Sequence, residues 1–223
     1  MAGPAPTEQS TCKGTRGRAP MAFDNDDFHA PAGLRTDEFL LRPIRAADAA
    51  LDYEAVMASK EYLRPWEQTG WPADDFTVDA NRADVVKLAR WHAAGERFTY
   101  TVLDPTGTHC LGCVYIAPTG APLFARKQIA AIDGARWSEY AVAVNFWVRT
   151  SRLADGLDHR LLDALGPWLA REWHIARHLI VTSEQVAQQV SLIESTNRRL
   201  RFRLTDPKQS GKSLAYAQTA PAA

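Results

Sequence analysis

The stretch from Ala141 to Leu162 constrains the fold more than any other part of the chain. Ala141 to Val148 is a nearly unbroken apolar run without outward polar alternation, so it reads as a strand buried on both faces. It passes through a short polar turn that reaches Gly156 and an amphipathic helix. Leu157, Leu161, Leu165, Trp168 and Leu169 share one face of that helix. A strand that ends where a helix begins presents free backbone amides and the positive end of a helix dipole. Such an end favours anions, phosphate among them. The competing reading is an ordinary strand-to-helix connection with Asp155 as N-cap.

Around this stretch the pattern predicts a definite order of elements. Glu38 to Ile44 reads as a first strand, with Pro43 marking an edge or an end. Ala46 to Ser59 and Thr77 to Ala94 read as helices, the second ended by Gly95. Between them, Tyr62 to Pro72 is too aromatic for a plain loop and too broken for a long helix. Arg97 to Leu103 and His109 to Ala117 form a hairpin around Asp104-Pro105-Thr106-Gly107. Pro118 to Ser138 reads as an inserted loop. After the buried strand and the Gly156 helix come a strand (Ala176 to Thr182), a helix (Ser183 to Thr196, Ser183 as N-cap) and a last strand through Leu200, Phe202 and Leu204. Residues 1–37 read as a disordered leader, 38–204 as one domain, and 205–223 as a C-terminal tail.

This order, together with the strand-turn-helix, resembles the GCN5-related N-acetyltransferase (GNAT) superfamily. The resemblance implies an α+β fold, an α/β/α sandwich whose mixed, mostly antiparallel sheet splays in the middle. It implies an acyl-coenzyme A site, with acetyl-CoA (coenzyme A) as the cofactor. There an Arg or Gln, two spacers, Gly, one spacer and a small residue cradle the pyrophosphate. Gly156 falls on the middle glycine. Leu153 takes the Arg or Gln position with Arg152 one residue early, and Asp158 takes the last small position. The cofactor-binding set so implied is Val148, Arg149, Arg152, Ala154, Asp155, Gly156, Leu157 and Asp158.

The family's catalytic positions are not matched. Its strand Glu falls at about Ala143, and Glu139 is the nearest acid. Its Tyr falls at Ile193, with Ser191 the nearest hydroxyl. Glu139 and Ser191 are therefore candidates by proximity, against the reading of a solvated acid and a helix-surface serine. Tyr62, Trp66, Glu67 and Trp71 lie in the segment that covers the acceptor in the family. They are candidates for a substrate pocket, with one carboxylate for an amine, or else for core filling beneath a helical hairpin. The implied function is acetyl transfer from acetyl-CoA to a primary amine of a small molecule or peptide. The alternative is a catalytically impaired module that keeps the fold and binds acyl-CoA or a partner protein.

Composition narrows the partners. Lys+Arg and Asp+Glu are both 26, a formal net charge of +0, which gives no global pull toward nucleic acid or anionic membrane. Three cysteines, Cys12, Cys110 and Cys113, fit a reducing compartment rather than a disulfide framework. No apolar run reaches membrane-spanning length. A cytoplasmic protein is expected, with no nucleic-acid or membrane partner and a homodimer left open. Cys110 and Cys113 read as buried apolar side chains on opposite faces of a strand, not as metal ligands. Gly211-Lys212-Ser213 lacks the first glycine of a phosphate loop.

Overall fold

Val142–Val148 forms the buried strand that its composition demands, and the rest of the molecule is arranged around it. In the computed structural model the described residues are 28–218. They form β1 (Leu34–Arg35), β2 (Leu40–Pro43), α1 (Ala49–Ala58), α2 (Lys60–Glu67), α3 (Val78–Ala93), β3 (Phe98–Leu103), β4 (Cys110–Pro118), α4 (Pro122–Ala125) and β5 (Gln128–Ala131). Then follow β6 (Val142–Val148), α5 (Leu157–Arg171), β7 (His178–Ser183), α6 (Ala187–Glu194), β8 (Arg198–Thr205) and β9 (Lys212–Gln218). The strands make one sheet in the order β1-β2-β3-β4-β6-β7-β9-β8-β5. Every pairing is antiparallel except β6 with β7.

Two apolar clusters flank β6. On one face Val142, Val144, Phe146 and Val148 pack against Leu157, Leu161, Leu165, Trp168 and Leu169 of α5. On the other, Trp147 packs with Ala55 and Val56 of α1 and Leu63 of α2. The sheet is thus sandwiched between helices, as expected of an α/β/α layer arrangement. The expected splay is present. β6 pairs with β7 only at Val142, Val144 and the residue between them, and then runs on to Val148 along β4 alone.

Several expectations are corrected. The inserted loop at 118–138 holds α4 and β5, and β5 pairs with Phe202 to Thr205 of β8 at the sheet edge. Residues 205–218 are not a tail. β9 lies between β7 and β8, with Leu214 and Tyr216 in the core. Residues 28–37 are not a loose leader. Tyr100 donates to the Pro31 carbonyl (2.7 Å), Trp168 donates to Gly33 (3.1 Å), and the Phe28 ring packs 5.8 Å from Phe98. Residues 1–27 and 219–223, with Cys12, lie outside the described residues. The broken aromatic segment contains α2. Ser183 ends β7 rather than capping α6, whose N-cap is Val186.

Cys110 and Cys113 do not face opposite sides. The strand is irregular at Val102/Leu103 opposite Cys110–Gly112, and Gly112 adopts φ 149°. The extra residue shifts the alternation, so both thiols enter one cluster with Asp52. Cys113 donates to Asp52 Oδ1 (3.4 Å), and Asn81 donates to Asp52 Oδ2 (3.0 Å). Burial raises the Asp52 carboxyl, and the neighbouring Cys110 thiol together with burial raises Cys113. The group is a satisfied buried network.

Two predictions follow from these packing facts. A Cβ on Gly112 would sit 2.1 Å from the Trp147 carbonyl oxygen at a φ that L side chains rarely adopt. Gly112→Ala is therefore expected to cost at least about 2 kcal/mol in urea denaturation. His178, 6% exposed, has its imidazole pushed down to about 4 by burial and by the charge of Arg198. The unfolded chain takes up a proton near pH ~6.5 that the folded chain refuses. Stability should fall as pH drops from there toward 4, by up to about 3 kcal/mol, and then level off. His178→Leu should flatten that window.

Candidate active site

The opening between β6 and β7 begins where their ladder stops, after Val144 and Ile180. Buried backbone groups there need partners. Side chains supply them. The Phe146 carbonyl accepts from Trp66 Nε1 (3.1 Å) and from Gln189 Nε2 (2.9 Å). Asn145 Nδ2 reaches across to the Val181 carbonyl (3.0 Å). Thr182 donates to Gln189 Oε1 (2.6 Å) and fixes its amide. Gln189 is 1% exposed.

At the open end lies the turn that leads to α5. Gly156 is the N-cap, at φ 71°, with no side-chain cap, so Asp155 does not cap the helix. Among the described residues the amides of Ala154, Asp155 and Leu157 have no acceptor. These donors and the dipole of α5 make a seat for an anion. The arginines beside it are engaged. Arg152 pairs with Asp155 (2.8 Å) and Arg149 with Glu54 (2.8 Å), both at the surface. Arg149, Thr150, Ser151 and Arg152 also line a pocket of about 300 Å³ with His109. Asp158, in the first turn of α5, is 4% exposed. Its carboxylate accepts from the His159 amide (2.9 Å) and from Gln188 Nε2 (2.5 Å) of α6.

The acceptor candidates gather on the face covered by α1 and α2. Tyr62, Trp66 and Trp71 pack with Trp147 and Tyr115, and the Trp66 ring lies tilted 6.0 Å from that of Tyr115. Trp147 Nε1 donates to the Tyr115 hydroxyl (3.2 Å). Burial, with the nearby Asp158 charge, raises the Tyr62 phenol. Burial also raises the Glu67 carboxyl, partly opposed by Lys127. The connection between β8 and β9 closes this side. Gln209 donates to the Glu67 carbonyl (3.0 Å) and the Ser210 amide to the Gln68 carbonyl (3.0 Å). Lys127 is held by Asp206 (3.0 Å) and Gln209 (3.0 Å).

The two catalytic candidates lie elsewhere. Glu139 precedes β6 at the end where β6 and β7 remain joined. It pairs with Arg177 (2.9 Å) and Arg136 (2.7 Å). Burial would lift its carboxyl, but those two arginines hold it below its ordinary value. Ser191 is exposed on α6, about half a turn from the buried Gln189 and Ile193. Neither side chain reaches the opening. The bridging residues Asn145 and Gln189 were missed. Their signal in sequence was a polar residue within an apolar strand and a buried-phase glutamine on an amphipathic helix.

No protein-family model and no curated protein matches the sequence. Solved structures match by fold. "RimL- Ribosomal L7/L12 alpha-N-protein acetyltransferase" in complex with coenzyme A aligns with TM-score 0.61 at 16% identity, over 86% of this chain and 98% of that one. The microcin C7 self-immunity acetyltransferase MccE, in complex with acetyl-CoA and AMP, gives 0.62 at 13% identity, over 86% and 98%. Mycobacterium smegmatis RimJ in complex with CoA-disulfide gives 0.60 at 18% identity, over 83% and 85%. The splayed sheet, the strand-turn-helix at its open end and these alignments agree that the chain has the fold of the GNAT acetyltransferases.

Proposed function

We propose that this protein is an acetyl-CoA-dependent N-acetyltransferase that acylates a primary amine of a small molecule or peptide. The observation that carries the reading is the opening between β6 and β7, ending at a turn whose amides at Ala154, Asp155 and Leu157 lack acceptors. These residues fit a pyrophosphate, with Arg149 and Arg152 near enough to add charge after exchanging their weak surface partners. Acetyl-CoA, when bound, supplies the acyl thioester. RimL and MccE are acetyltransferases, and the three structures above hold coenzyme A, acetyl-CoA or a CoA disulfide.

In this reading the chain's own residues do three things. The turn 149–158 anchors the anionic end. Asn145 and Gln189 swing from Val181 and Phe146 to admit an amide-bearing chain that repeats their hydrogen bonds. Tyr62, Trp66 and Trp71 wall the acceptor, and Glu67 takes the ammonium and then its proton. A carboxyl raised by burial is closer to the pKa that such a base needs. Positioning supplies the larger share of the rate. Glu139 and Ser191 carry no step.

A second reading is favoured by one observation. The Gln188–Asp158 and Gln189–Phe146 bonds span the opening. If they are permanent, the chain is a fold-retaining module without transfer.

Calorimetry with coenzyme A separates the readings. Binding is expected, weakened by Gly156→Val, which forces a β-branched residue to φ 71°. Asp158→Ala should tighten it severalfold, because a buried carboxylate leaves the helix terminus. Absence of binding at millimolar coenzyme A overturns the enzyme reading.

Kinetics test the base. Glu67→Gln is expected to lower kcat/KM roughly a hundredfold. Glu139→Gln and Ser191→Ala should stay within about twofold, since neither group touches the reacting atoms. The wild-type rate should climb with pH toward the amine's own pKa, without a descending limb near neutrality.

A further inference from the structure

Arg198 opens β8 and is 9% exposed. Among the described residues no carboxylate oxygen lies within 4.0 Å of its guanidinium. Its Nε has no hydrogen-bond partner, and Nη1 has one neutral acceptor, Thr196 Oγ1 (3.2 Å). A buried cation without a counter-ion is costly, and native chains pair such groups. Burial accordingly depresses the Arg198 pKa, with Asp163 opposing weakly from a distance. The same charge helps to hold His178 neutral. Both ring nitrogens of His178 are buried without hydrogen-bond partners.

Arg198 forms part of the wall of a pocket of about 580 Å³. Gly166 and Pro167 of α5 form one side, and Ser195 and Thr196 after α6 the other. A Cβ on Gly166 would lie 3.7 Å from Arg198 Nη2, so the missing side chain leaves the guanidinium accessible. Asp163 stands at the rim, but its carboxylate is bound by His159 (3.0 Å). The anion seat of the proposed active site is at the first turn of α5, whereas Gly166 and Pro167 are in its second half. The pocket also reaches His159 of the first turn, but none of Ala154, Asp155 and Leu157 lines it.

We propose that this pocket is a binding site for the oxyanion of a small metabolite, a carboxylate or a phosphate. Arg198 is the charged anchor; the Ser195 and Thr196 hydroxyls beside it donate to the Leu192 (2.7 Å) and Ile193 (2.6 Å) carbonyls, so the guanidinium alone supplies the free donors. A planar guanidinium with free donors matches either group in a two-point contact. The inference stands apart from the acetyl-transfer reading, because it uses none of the residues of the β6–β7 opening.

The test titrates the full chain with inorganic phosphate and, separately, acetate, at constant ionic strength set by chloride, and follows Tm. A saturable rise with at least one of the two is expected. Arg198→Met should start from a higher Tm than wild type in buffer free of both anions, since it removes an uncompensated charge, and should lose the rise. Gly166→Leu keeps Arg198 but fills the pocket, and should also lose it. Histidine NMR should show the His178 pKa moving up from about 4 as the bound anion neutralises Arg198. A failure to fold of Arg198→Met leaves the Gly166→Leu and NMR arms to decide. An equal rise in wild type and both variants overturns the proposal, as does no rise with either anion. Equal losses of Tm in Arg198→Met and Asp163→Asn would identify Asp163 as the counter-ion and overturn it too.

Discussion

The parting of β6 from β7 after Val144 is the constraint on which the rest depends. β4 satisfies one edge of β6 along its whole length, from Val142 to Val148. The other edge loses its strand partner at mid-sheet, deep in the molecule. Two elements answer for it with side chains, Trp66 from α2 and Gln189 from α6, both at the Phe146 carbonyl, while Asn145 of β6 serves the facing Val181 carbonyl of β7. A single such bond contributes only ~1 kcal/mol, but leaving the buried carbonyl bare costs more. The need for these partners therefore fixes how α2 and α6 sit over the sheet. It also defines what an occupant of the opening must offer, namely hydrogen-bonding groups spaced like a backbone.

Elements with strong local periodicity were legible in the sequence. α3, α5, β3, β4 and β6 fall close to where spacing and turn chemistry put them. β9 was not legible, because Ala215 and Ala217 carry little hydrophobic signal and its partners β7 and β8 are distant or reversed in order. β5 is a four-residue edge strand whose identity rests on pairing with β8. α2 was hidden by Pro65 and by aromatic residues that serve packing rather than periodicity. The strand-turn-helix at 142–171 was legible because it is local. The place of Glu139 was not. Which end of β6 opens depends on where β7 stops pairing, and Glu139 stands at the closed end.

Cys110 and Cys113 show how one residue can invert a strand argument. Alternation holds only while the strand is regular. Gly112, at a φ open to glycine, absorbs an extra residue, and the two thiols converge on Asp52. The same glycine lets the Trp147 carbonyl approach closely. Trp147 lies in the α1–α2 cluster and donates to Tyr115, whose ring packs tilted against Trp66. The bulge is thus coupled to the α1–α2 face of the sheet through three aromatic rings.

Charge at the first turn of α5 follows two different rules. Arg149 and Arg152 sit at the surface with exposed carboxylate partners, and such pairs are worth little, so exchanging Glu54 or Asp155 for another anion costs little. Asp158 is buried and bound by the His159 amide and Gln188. Its negative charge already offsets the positive end of the helix in a medium that screens poorly. An anion placed at the free amides of Ala154, Asp155 and Leu157 would meet that carboxylate as well as the two arginines. In the proposed acetyl-transfer reading, the Gln188 bond that ties α5 to α6 would link movement of α6 to anion binding at the turn.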